Sequence, residues 1–442
     1  MTKGIISIIF CLITSYFTQA QIAFSIKQAQ EHALNNNYDI KNAQLDVEHA
    51  SKKMQETLSV GLPQINADIE WQNFIEVPTT LVPASQFNPE APDNIYTEMQ
   101  FGIPHSTNAS INASQLIFNG SYLVGLKAAK YFMKFAETRK NLTESQIRDS
   151  VATAYFDVLI AKENSDFIES IVRIHKDIVE EIQEKYLNGF VEDLEVDRMS
   201  LILSQMEMQY ANTQRQTEIA EAYLKLIIGT PLEDEIILSD SLEQLLNTSV
   251  NFKLEEAQIE NRLEYKMADM KIRLKELDMR RHQSNYLPTV SAFASIGRNA
   301  MGVDFNAFEE NVNWYPSQLI GVKISLPIFD GLGGMAKTQQ ARLIYEQAKN
   351  DKNQITANLQ LAFLASQSNY LNAISNYNHE QNNVILSKKI YDKTLEKYRE
   401  GLVSSIELSE AGNDYLETST NLSQSIYNLL INNLNYQRCL GK

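Results

Sequence analysis

Cysteine is almost missing from this 442-residue chain, which carries only Cys11 and Cys439. Cys11 falls in an N-terminal stretch with the marks of a cleavable secretory signal: Lys3, an apolar run from Ile5 to Phe17, and small residues Thr18 and Ala20 before Gln21. That run is too short to span a bilayer as a helix, and Ile9 and Phe10 before Cys11 do not form a lipid-attachment signal. Loss of residues 1–20 leaves Cys439 alone, so no intrachain disulfide is expected and stability must come from packing. Basic charge is also short. Against 55 Asp and Glu stand 39 Lys and Arg, a net charge of −16, or −17 once Lys3 is removed (−16 − 1), which argues against a nucleic-acid partner. No apolar run after residue 20 would cross a membrane as a helix, so a membrane role would require strands. The six histidines (His32, His49, His105, His175, His282, His379) are scattered without metal-ligand spacing, and no phosphate loop or nucleophile elbow is present. Neither an enzyme nor a cofactor or metal site is expected.

Proline and glycine are scarce in two long stretches. Proline is missing between Pro104 and Pro231 and after Pro327; Gly189 alone interrupts Gly125 to Gly229, and Gly401 and Gly412 alone interrupt Gly334 to Gly441. Breakers punctuate local structure, so residues 125–188 and 335–400 read as helices of roughly 100 Å. Each turns at its glycine and returns, over 192–228 and 404–440. Ile147, Val151, Ala154 and Val158 step by 4, 3 and 4, a seam for a partner helix. Shorter helical stretches cover 25–59 and 252–284.

Between short and long helices the period changes to two. Ile65, Ala67, Ile69 and Trp71 alternate with Asn66, Asp68 and Glu70, and Ala109, Ile111 and Ala113 with Ser110 and Asn112. Val290, Ala292, Ala294 and Ile296 repeat the pattern, as do Ile320, Val322, Ile324 and Leu326. A half-buried soluble sheet and a lipid-facing barrel wall both show this alternation. The export signal, the polar opposite face and a Pro-rich segment from Pro78 to Pro92, read as an exposed loop, favour the barrel. Trp71, Phe74, Tyr96, Trp314 and Tyr315 near strand ends would form an aromatic girdle. Four strands cannot close a barrel, so closure requires an oligomer, of two, three or four subunits.

The halves also share a word. Glu184-Lys185-Tyr186-Leu187-Asn188-Gly189-Phe190-Val191 recurs 212 residues later as Glu396-Lys397-Tyr398-Arg399-Glu400-Gly401-Leu402-Val403. Ile228-Gly229 recurs as Leu440-Gly441, and Leu116-Ile117-Phe118-Asn119-Gly120 as Pro327-Ile328-Phe329-Asp330-Gly331. This is the signature of internal duplication. A first repeat spans 21–229, with strands at 64–76 and 108–119 and a hairpin at 121–228. After a linker at 230–251, a second spans 252–441, with strands at 289–299 and 318–329 and a hairpin at 335–440.

In order and spacing these landmarks resemble the TolC family of outer-membrane efflux and secretion ducts. The marks are Phe24-Ser25-Ile26-Lys27-Gln28-Ala29 with Ala33-Leu34-Asn35-Asn36-Asn37, then Leu62-Pro63-Gln64, Tyr286-Leu287-Pro288, Leu326 through Gly331, the Tyr-x-x-Gly-x-Val turns and Leu440-Gly441. The resemblance covers nearly all of the chain after residue 20. It implies an α+β membrane protein, a homotrimeric TolC-like duct. Four strands per subunit would close a twelve-stranded barrel in the outer membrane of a Gram-negative bacterium, continued by coiled-coil hairpins through the periplasm. Implied partners are outer-membrane lipid, a periplasmic adaptor (membrane fusion) protein and an inner-membrane transporter of RND or ABC type, in a tripartite efflux pump or type I secretion system.

The resemblance also assigns residues. Gly189, Phe190, Val191, Gly401, Leu402 and Val403 are expected at the adaptor-docking tip. Glu407 and Glu410, six and nine positions past Gly401, are expected as an acidic ring at the pore aperture; Glu195 and Tyr398 match a link that holds the tip closed. Val403 stands where well-known members carry a basic residue, so the lock is expected to be different or weaker. The competing reading is a periplasmic coiled-coil adaptor or scaffold without a barrel, but adaptors carry one hairpin rather than two.

Overall fold

The computed structural model describes residues 22–87, 90, 92, 94–100, 102–250, 255–303 and 312–441. The secretory signal at 1–20 lies outside them. In chain order the elements are β1 (Ile22–Phe24), α1 (Ile26–Asn36), α2 (Tyr38–Ser59), β2 (Gln64–Asn73), β3 (Thr79–Pro83), β4 (Tyr96–Gln100), β5 (His105–Phe118), α3 (Gly120–Leu187) and α4 (Asp193–Ile228). They continue with β6 (Ile236–Leu238), α5 (Leu242–Val250), α6 (Leu263–Ser284), β7 (Thr289–Gly302), β8 (Trp314–Ser325), α7 (Gly333–Arg399) and α8 (Ser405–Leu440). The long helices have 68 and 67 residues and the return helices 36 each.

Side chains set where these helices start. Asn119 Oδ1 accepts the Tyr122 amide at 2.7 Å ahead of α3, and Asp330 Oδ2 accepts the Gly334 amide at 2.6 Å ahead of α7. Both satisfy first-turn donors that have no intrahelical partner. The 25–59 stretch breaks at Asn37, whose side-chain oxygen accepts the amides of Asp39 and Ile40 and so caps α2.

The residues fall into two compact units. One holds the four-stranded antiparallel sheet, in the order β2-β5-β7-β8. Its register aligns Ile65, Ala113, Ala294 and Ile320 on one rung, then Ala67, Ile111, Ile296 and Gln318 on the same face. The opposite face carries Asn66, Asn112, Ser295 and Leu319, then Asp68, Ser110, Gly297 and Ser317. The apolar face is open, with Ile69 79% and Ile320 85% exposed. Strand limits shift from those expected. β8 starts four residues earlier and stops at Ser325, leaving Pro327 and Phe329 outside, while β2 ends at Asn73. The Pro-rich segment is not wholly loop, because β3 and β4 pair with each other. Tyr96 therefore belongs to that hairpin, and Tyr315 falls on the polar face opposite Asn299, so neither shares the sheet face of Trp71 and Trp314.

The other unit is helical. Val151, Ala154, Tyr155 and Val158 of α3 are fully buried and pack with Phe24, Ala29 and Ala33, Leu224 and Ile228 of α4, and Ile426 and Leu430 of α8. The expected linker at 230–251 is built into this core. β6 pairs in parallel with β1, and the Tyr155 hydroxyl donates to the Phe24 carbonyl at 2.9 Å while accepting the Asp240 amide at 3.2 Å. α5 is anchored by the Tyr370 hydroxyl on the Ser249 carbonyl and by Asn433 on the Ser249 hydroxyl.

Further along the helices an aromatic stack replaces aliphatic packing. His175 of α3 lies 6.4 Å from the Tyr391 ring of α7 at 18°, Tyr391 lies 5.7 Å from Tyr415 of α8, and Tyr415 meets Phe167 of α3 edge-on. His175 is fully buried. Its Nδ1 hydrogen-bonds the Ile171 carbonyl at 3.1 Å, and its Nε2 is buried without a partner. Among the described residues Tyr391 and, behind it, Tyr415 are the titratable groups facing the imidazole, while α4 contributes Met199 and Ile202 to the adjoining core. Burial pushes the imidazole below its ordinary 6.5 and the Tyr391 hydroxyl up to about 12.

Two predictions follow from backbone and burial. Gly229 ends α4 at φ +76°, and an added Cβ would stand 2.7 Å from the Asn36 carbonyl carbon; Gly401 has φ +75° with open space around it. Gly401→Ala should cost about 1–2 kcal/mol for left-handed backbone alone. Gly229→Ala adds overpacking of about 1–3 kcal/mol, a ranking that denaturant titration of helical ellipticity checks. For His175 the folded pKa lies below the unfolded one, so the unfolded chain binds more protons as pH falls. Stability is complete above about pH 6.5 and declines below it by up to about 1.4 kcal/mol per unit. His175→Phe keeps the ring stack and should flatten the fall in unfolding midpoint between pH 7.5 and 5.5; an unchanged fall would place its origin elsewhere.

Candidate functional site

The two hairpin turns have the same backbone. At the first, the Phe190 amide donates to the Lys185 carbonyl at 2.9 Å and the Gly189 amide to Tyr186 at 2.9 Å; at the second, Leu402 donates to Lys397 at 2.9 Å and Gly401 to Tyr398 at 3.0 Å. This double bond is the Schellman helix ending, and it places the glycine in the left-handed region, with φ +79° at Gly189 and +75° at Gly401. Phe190 and Leu402, next in sequence, are 80% and 68% exposed. Val191 and Val403 are half-buried. A cleft of about 710 Å³ opens between the turns, lined by Ile182, Phe190, Leu194, Tyr398 and Val403 among others.

Polar contacts tie the turns together across this cleft. The Tyr398 hydroxyl donates to Glu195 Oε1 at 3.3 Å, so these two residues meet as expected. Burial, reinforced by the Glu195 carboxylate, raises the Tyr398 pKa and keeps the hydroxyl a donor. A second link was not expected from the sequence: Arg399 Nε stands 3.7 Å from Glu181, and Lys185 bonds both Glu181 at 2.8 Å and the Arg399 carbonyl at 3.4 Å. A basic residue does join the turns, from Arg399 rather than from position 403. The signal was a mismatch between the repeated words, since Arg399 stands where the first copy has Leu187. These ion pairs are partly exposed, and such pairs contribute about 0–1 kcal/mol each.

The start of each return helix breaks the symmetry. Ser404 caps α8 by accepting the Glu407 amide at 3.3 Å, whereas Glu192, its counterpart, makes no side-chain cap. Glu407 and Glu410 are exposed on one face while Leu408 and Ala411 are buried, and neither acid has an ion pair among the described residues. Their counterparts 212 residues earlier are Glu195, taken by Tyr398, and Arg198, which stands 3.9 Å from Glu195. α8 thus presents two free carboxylates three residues apart, where α4 presents a neutralised pair.

Among the described residues no group of three His, Cys, Asp or Glu could hold a metal ion. Among the described residues no helix is long and apolar enough to cross a membrane.

Comparisons with known proteins agree with this architecture. The chain is 21% identical to the outer membrane protein TolC of Escherichia coli strain K12, over 99% of this chain and 86% of that protein. Its fold is similar to that of VceC from Vibrio cholerae, with a TM-score of 0.71 at 16% identity over 94% of this chain and 96% of that one. It is also similar to the CmeC outer membrane channel of Campylobacter jejuni, with a TM-score of 0.74 at 18% identity over 94% and 85%. The family model described as outer membrane efflux protein matches residues 29–230 and 255–442, and the chain belongs to that family.

Proposed function

We propose that the protein is the outer-membrane exit duct of a tripartite efflux pump or type I secretion system. As such it passively conducts cargo delivered by an inner-membrane transporter and a periplasmic adaptor. Beyond family membership, one observation carries this reading: a four-stranded sheet with an exposed apolar face and two open edges, at β2 and β8. Unpaired edge groups in hydrocarbon cost several kcal/mol each, so such a sheet stands in a membrane only when another copy closes it. Three copies give a twelve-stranded barrel with the alternating apolar face toward lipid. The equal helix lengths and matching turns support an internal duplication, with two hairpins per subunit and twelve helices in the periplasmic tube. An adaptor or scaffold carries one hairpin and needs no such sheet.

In this duct the turns at Gly189 and Gly401 form the periplasmic tip, and Gly189, Phe190, Val191, Gly401, Leu402 and Val403 are its adaptor contacts. The exposed Phe190 and Leu402 support that role. The Tyr398–Glu195 bond holds the closed state. Three copies of Glu407 and Glu410 set six free carboxylates around the aperture, and such rings attract and bind cations.

Two experiments test this. In a Cys439→Ser background, one cysteine in β2 at Asn66 is paired with a scan of β8 from Ser317 to Lys323. Oxidation should give dimers and trimers at alternate positions and nothing larger; monomers throughout would sink the trimeric barrel. In planar bilayers, Glu407→Ala with Glu410→Ala should raise cation conductance or abolish block by polyvalent cations. Tyr398→Phe should raise the open fraction, and channels identical to wild type in conductance, block and opening would refute the assigned aperture.

A further inference from the structure

The apolar face of the sheet holds one charged side chain. Register places Arg298 on the rung of Ile69, Ala109 and Pro316, between the rung of Ala67, Ile111, Ile296 and Gln318 and that of Trp71, Thr107, Ala300 and Trp314. Arg298 is exposed, and its guanidinium makes no ion pair or hydrogen bond with a described residue. No carboxylate stands on this face of the four strands, because Asp68 and Glu70 point to the opposite one. Since β7 is an interior strand, this holds on both sides of the arginine.

Its height on the sheet is also fixed. β2 and β7 start, and β5 and β8 end, next to helices, so all four helix-joined ends lie together. Arg298 is nine residues from Thr289 at that end and two short of the tryptophan rung at the other, about 7 Å along the strand. If the helices occupy the periplasm, the tryptophan rung is the outer interface. Guanidinium is costly against lipid tails but tolerated near an interface, where its stem extends toward the headgroups.

From this placement we infer that Arg298 is a lipid-binding residue, one per subunit, that takes a phosphate of an outer-leaflet glycolipid in its guanidinium fork beside Trp71 and Trp314. The inference rests on the barrel reading above. Phosphate is the fitting ligand because it is anionic, abundant at that depth of a Gram-negative outer leaflet, and matched to bidentate donation by arginine.

Trp71 and Trp314 are the only tryptophans in the chain, which lets one preparation test both claims. The full-length protein is reconstituted with bisphosphorylated lipid A or with the same lipid after removal of both phosphates, and bound lipid is counted by native mass spectrometry. Wild type should retain the bisphosphorylated lipid at least tenfold better. Arg298→Gln should abolish the preference, and Arg298→Lys should keep part of it through a single contact. Equal retention of the two lipids by wild type, or an undiminished preference in Arg298→Gln, overturns the site. Quenching of tryptophan emission by brominated acyl chains reports lipid contact independently of Arg298. Quenching without a phosphate preference rejects the site and leaves the barrel standing, whereas an absence of quenching rejects both.

Discussion

Backbone amides and carbonyls along a strand edge need partners, and in hydrocarbon neither water nor side chains supply them. β2 and β8 each present such an edge, and the sheet between them turns an exposed row of isoleucine, alanine and valine to one side. In water that face would associate indiscriminately; in lipid it is at its lowest free energy only once the edges are closed. In the proposed duct, subunit number and the polarity of the inner face follow from that constraint, because the sheet is completed from outside the chain and the assembly is part of the fold.

The helices solve a different problem. The 68-residue α3 is held along a seam whose buried positions step by 4 and 3, at Ile147, Val151, Ala154 and Val158 and again at Ile168, Ile171, His175, Ile178 and Ile182. Around Tyr155 the packing is aliphatic and tied into the sheet of β1 and β6. Toward the turns it becomes aromatic and polar, with His175, Tyr391, Ser405 and Ser419 buried there.

Much of this was legible in sequence because it rests on local rules. Breaker-poor stretches gave the long helices, period-two alternation gave the four strands, and the duplicated glycines gave the turns, since a Schellman ending needs little beyond the glycine itself. What escaped depends on contacts distant in sequence. Residues 230–251 read as a linker because the partner of β6 is Ile22–Phe24, more than 200 residues away. Tyr315 could not be assigned to the polar face without the register, since a one-residue shift reverses the face of every side chain in a strand. The pairing of Glu195 with Tyr398 came from resemblance, and the neighbouring Arg399–Glu181–Lys185 bracket was visible only as a difference between two copies of one word.

That difference reaches past the bracket. The two hairpins share near-equal helix lengths and one turn backbone, as an internal duplication would leave them. Their acids differ. Glu195 is neutralised by Tyr398 and Arg198, whereas Glu407 and Glu410 keep their charge unpaired at an exposed helix start. A helix N-terminus favours a carboxylate in its first turn, where Glu407 stands. The first hairpin bonds the second through Glu195 and Tyr398, whereas the second leaves Glu407 and Glu410 exposed, as the proposed aperture ring requires.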